Sequence, residues 1–187
     1  MRYPCEGRRP FAALRLIMNS KLLSRIVDRR IASFAFVIHS QAGLRSVILH
    51  LQTGGSFEFR SREFRFGPYE AYTLEVRECD SKKGTNEIFA GWTVGTIDVA
   101  ERQDWLEPGD PTIETIGRNP VDHSWGAIGS APTSATHTVV VQSSIALISD
   151  TGEHQAMVYL TDYPGLVSFT TDAQEIAAVH RAHGGQA

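Results

Sequence analysis

Apolar and polar residues alternate with a period of two over much of this 187-residue chain, the mark of half-buried β-strands. The pattern is sharpest at residues 57–66, Phe-Glu-Phe-Arg-Ser-Arg-Glu-Phe-Arg-Phe. Folded about Ser61-Arg62, this decapeptide complements itself. Phe57 meets Phe66, Phe59 meets Phe64, Glu58 meets Arg65, and Arg60 meets Glu63. Opposed residues of an antiparallel pair share a face. The window therefore predicts a hairpin with four phenyl rings on one buried face and two ion pairs on the other. Ser-Arg is a poor type I′ turn, which prefers Asn-Gly, so a bulged strand is the alternative.

Other windows add strands. Residues 33–52 predict a hairpin turning at Ala42-Gly43, with Ile38 opposite Val47, Phe36 opposite Leu49, and Phe34 opposite Leu51. Residues 71–79 put Tyr72, Leu74 and Val76 on one face. Residues 87–99 predict a strand with Gly91 and Gly95 inside it, and glycine there marks a bulge, a bend or a close approach. Residues 137–149 and 154–161 predict a hairpin through Asp150-Thr151-Gly152-Glu153, pairing Leu147 with Ala156 and Ile145 with Val158. A short strand over 166–170 follows, then a helix over 173–183 capped by Asp172.

The N-terminal end reads differently. Phe11, Leu14, Met18, Leu22 and Ile26 recur at three- and four-residue spacing, which predicts an amphipathic helix over 11–31. Residues 100–135 hold Pro108, Pro111, Pro120 and Pro132 among glycines and predict a long loop, with a short strand at 112–116. The expected organisation is one domain over 1–187: a basic helical arm (1–31), an antiparallel β body (33–170) and a C-terminal helix (172–183). Hairpin connections dominate and no βαβ pattern occurs. The fold class is thus mostly β, a β-barrel or strongly curved sheet, with a two-sheet β-sandwich as the alternative.

Composition narrows the function classes. Hydrophobic content of 42%, charged content of 21% and a net charge of −3 suit a globular protein and argue against nucleic-acid binding by the body. Residues 1–30 carry eight Lys/Arg and two acids, a balance of +6, which leaves −9 on the rest. A basic arm on an acidic body can dock on that body or on an anionic partner. Cys5 and Cys79 make neither a disulfide framework nor a closed zinc site, and they read as free thiols in a reducing cytoplasm. No apolar run approaches the ~20 residues of a membrane-spanning helix.

Candidate chemistry is sparse. His39 and His50 fall on one face but four ladder positions apart, roughly 13 Å, too far to share a metal ion. His180 and His183 have helical spacing but sit at the chain end, so no metal and no cofactor is expected. The most site-like stretch is Asp122-His123-Ser124-Trp125, a carboxylate, an imidazole and an indole in the long loop. Asp122 and His123 are the candidate acid–base pair. Trp92, Trp105 and Trp125 are the candidate walls of a ligand space. Two function classes follow. One is a barrel that holds an apolar small molecule, including a cofactor-free isomerase or cyclase under the loop as a lid. The other is a non-catalytic protein-interaction module that pairs with a partner or with itself through an arm or a free sheet edge. An enclosed apolar pocket marks the first; a filled core with an exposed edge or patch marks the second.

Overall fold

The computed structural model describes residues 14–16, 19–39, 43–66, 69–80, 86–106, 114–118, 125–130 and 137–183. In chain order these form β1 (Leu14–Leu16), α1 (Ser20–Leu23), β2 (Ile31–His39), β3 (Gly43–Leu51), β4 (Ser56–Phe66) and β5 (Tyr69–Glu78). There follow β6 (Asn86–Phe89), β7 (Val94–Leu106), β8 (Glu114–Arg118), β9 (Trp125–Ser130), β10 (His137–Ser149), β11 (Gln155–Leu160), β12 (Val167–Thr170) and α2 (Ala173–His183). Ten of these strands form one curled sheet, a half-barrel, in which every named pair is antiparallel except β1 with β10. The curved antiparallel architecture expected from the alternation is the one observed. Strands β8 and β9 pair separately.

The concave side is filled by side chains. Phe34, Val47, Leu49, Phe59, Leu74, Ile145 and Leu147 are buried almost completely, and Leu23, Ile26 and Val94 close over them. Each large apolar side chain so buried contributes about 1.5–3 kcal/mol. Helix α2 covers the opposite face of β10 and β11. Ile176 packs on Ala146 and Met157, and Asp172 caps the helix by accepting hydrogen bonds from the Gln174 and Glu175 amides at 2.7 and 2.9 Å. The Tyr159 hydroxyl donates to Glu175 at 2.7 Å and fastens the helix to β11.

Four expectations are corrected. The helix expected over 11–31 is a three-residue strand at 14–16, one helical turn at 20–23, and a turn ending at Asp28 with φ of 62°. Backbone pairing takes over there: the Asp28 amide donates to Val94 O, and Val94 N to Arg29 O. The hairpin expected at 57–66 is instead one straight strand, β4, with no turn at Ser61-Arg62. Its Glu58 pairs with Arg77 of β5, and its Arg60 and Arg62 pair with Glu75 of β5. Straightening splits the phenylalanines: Phe57 and Phe59 point into the core, whereas Phe64 lies on the other face, half-buried, with Arg62 over its ring at 4.9 Å. The strand expected over 87–99 is two, β6 and β7, broken at Gly91, whose φ is 72°. The long loop 100–135 is partly strand: β7 runs on to Leu106, and β8 and β9 follow.

The β2–β3 register is slipped by two residues from the expected one, with Phe34 opposite Leu49 and Phe36 opposite Val47. A two-residue slip keeps Phe34 and Phe36 on their intended face, but a bulge at Val37–Ile38 shifts the end of the hairpin, and Ile38, expected in the core, stands opposite Leu44 and is half exposed. The β10–β11 register is the expected one, with Leu147 opposite Ala156 and Ile145 opposite Val158.

Candidate functional site

The residues nominated from sequence do not assemble into a described site. Asp122 and His123 lie outside the described residues. Trp105 falls in β7 opposite Thr138, and Trp125 in β9 opposite Arg118. Only Trp92 has a described side chain. It is half-buried where β6 gives way to β7, 6.4 Å from the Phe34 ring and stacked at 6.4 Å on His154. There it seals one edge of the core rather than lining any of the clefts described below. Among the described residues no three His, Cys, Asp or Glu side chains gather as metal ligands, and no helix is long and apolar enough to cross a membrane.

A cleft of about 710 Å³ lies across β3, β4 and β5 and is lined by Arg45, Glu58, Arg60, Arg77, Tyr72 and Ser61 among others. Its floor is set by strand parity. Ile48 stands opposite Glu58, Glu58 opposite Arg77, and Arg60 opposite Glu75. Arg77 pairs with Glu58 at 2.5 Å, and Glu75 takes both Arg60 and Arg62 at 2.7 Å. Burial works to raise the Glu75 pKa, but hydrogen bonds and charge from Arg60 and Arg62 outweigh it, so its carboxyl is held below the ordinary range. The cleft is open and charged, with its strongest cations already paired. Its lining mixes Arg45, Glu58, Arg60, Glu63, Arg77 and Asp80 with the apolar Val37 and Ile48.

The sheet edges differ in how they are guarded. Natural edge strands are blunted by charge, bulges or a covering element. Strand β7 pairs only with β10 among the described strands, but it carries exposed Asp98, has Glu101 and Arg102, and faces a bulge at Gln142–Ser144. Strand β6 pairs only with β2 among the described strands, and all four of its residues are exposed. Ile88 is 47% and Phe89 86% exposed, with Glu87 the sole charge on the strand. These two apolar residues were missed from the sequence as site residues. Their adjacency was the available signal, since consecutive residues of a strand cannot both face one core.

Comparison with known proteins finds no matching family model, no matching curated protein and no matching solved structure.

Proposed function

We propose that this protein is a non-catalytic interaction module whose edge strand β6 pairs with an extended strand, the partner being a second copy of the chain. The carrying observation is the β6 edge, where Ile88 and Phe89 are exposed on a strand that pairs only with β2 among the described strands. The concave core, packed with apolar side chains from β2, β3, β4, β5, β10 and β11, is consistent with the same reading. Antiparallel pairing of two copies about Ile88 sets the two Ile88 side chains opposite each other on one face. On the other face each Phe89 meets Glu87 of the second copy. Such an isologous contact closes as a dimer rather than growing into a fibre.

Light scattering across protein concentration tests this. The wild type is expected to be a dimer, and Phe89→Lys combined with Ile88→Lys to be a folded monomer, because lysine is the usual guard of a free edge. A wild type that stays monomeric at high concentration, or a lysine variant that still dimerises, rules the reading out.

A further inference from the structure

Asn19 is the most heavily used polar side chain in the described core. It is 1% exposed, yet it precedes a helix of only one turn. Its amide does not cap that helix. Asn19 Nδ2 donates to Leu74 O at 2.8 Å and to Gln142 Oε1 at 2.6 Å, and its Oδ1 accepts from Val76 N at 2.8 Å. A carbonyl and an amide two residues apart on a strand edge are the pair that a neighbouring strand would satisfy. The carboxamide therefore stands in for a strand along β5.

The place where it does so is a seam. Strands β5 and β10 approach each other without backbone pairing, and side chains join them instead. Thr73 Oγ1 accepts from Gln142 N at 3.0 Å and donates to Gln142 O at 3.4 Å. Gln142 and Ser143 fall between the stretch of β10 that pairs with β1 (Val139–Val141) and the stretch that pairs with β11 (Ser144–Ile148). Three residues before Asn19, β1 runs along β10 in the one parallel pair among the described strands. Strand β1 and Asn19 thus touch both sides of the seam, and the named contacts each reach 55 or more residues along the chain.

We propose that the β5–β10 seam is a strand-accepting groove that the chain closes with its own β1 and Asn19, and that this strap is released ahead of the body. The inference is independent of the β6 edge, which lies elsewhere in the sheet. A strap held by a terminal three-residue strand and one carboxamide opens at lower cost than the doubly paired centre of β10.

Native-state amide exchange on the full chain reads this directly. Val76 and residues 14–16 are expected to exchange together, by local opening, well before the β10–β11 amides. In full-length Asn19→Ala, Val76 is expected to exchange about tenfold faster or more, the effect of losing one buried hydrogen-bonding partner. That variant is also expected to bind a labelled peptide of residues 11–19 that the wild type refuses. Thr73→Val removes the adjacent link but leaves the strap, and is expected to refuse the peptide as the wild type does. If Asn19→Ala does not fold, exchange in the wild type decides alone. Val76 exchanging only with global unfolding, or peptide taken up equally by Thr73→Val and Asn19→Ala, overturns the proposal.

Discussion

The two faces of strand β4 are covered by different means. On one face Phe57 and Phe59 enter a dry core and touch apolar groups from several strands. On the other, Glu58, Arg60 and Arg62 run beside Arg77 and Glu75, with Ser46 opposite Arg60 and Thr73 opposite Arg62, both fully buried. The aliphatic stems of arginine bury surface while the charged heads stay wet. The same strand thus packs phenyl rings into the core on one face and on the other supplies the two arginines that hold the Glu75 carboxyl of β5 below its ordinary range.

Substitutions can break that division, and the largest effect belongs to the core face. Phe59→Ala leaves a cavity at a position of zero exposure and is expected to cost about 3–5 kcal/mol in denaturant unfolding. A loss below about 1 kcal/mol would mean that this face is not the main source of stability. On the charged face, Glu75→Gln strips two arginines of a common carboxylate. Because Arg60 and Arg62 are 35% and 42% exposed, solvent screens the loss, and about 1–2 kcal/mol is expected.

Acid titration sharpens the same contrast. The folded pKa of Glu75 lies below its unfolded value, so its contribution is whole above the ordinary glutamate range. It disappears as pH falls through the depressed folded value. Melting temperatures taken from about pH 7 to about pH 3 should therefore fall less steeply for Glu75→Gln than for the wild type. Parallel curves would remove Glu75 from the account of acid stability. The smallest effect is expected at the sheet rim, where Phe89→Lys should leave stability within about 0.5 kcal/mol while weakening self-association in light scattering.

Where sequence and structure agree, the pattern was complete within one local unit. Strands β10 and β11 are joined by a short turn containing Gly152, at φ 75°, and that turn sets Ile145 opposite Val158 and Leu147 opposite Ala156. Helix α2 carries its cap at Asp172 and its stripe at Ile176 and Val179. Where they part, a partner far along the chain competed. The charges of 57–66 complement one another, but they complement Thr73-Leu74-Glu75-Val76-Arg77 equally well, and Ser61-Arg62 offers no residue suited to a tight turn. The helical spacing at 11–31 was real for Leu23 and Ile26, both buried three residues apart. It could not reveal that Asn19 is tied to β5 and Asp28 to β7. As for the nominated site, Trp92 was legible as an aromatic beside glycines, while Ile88 and Phe89 needed the topology that leaves β6 at an edge.

Gly95 carries one further consequence. A Cβ built there would sit 2.6 Å from the Asp150 Cα and 2.9 Å from the Asp150 amide nitrogen, so any side chain forces the main chain of the turn to shift. Nineteen letters are therefore closed to this position for a reason that has nothing to do with what the protein binds. In a saturation library scored only for soluble expression, position 95 should read as invariant, and its silence would be mistaken for a functional signal. It records instead how tightly the turn after β10 is drawn across the start of β7.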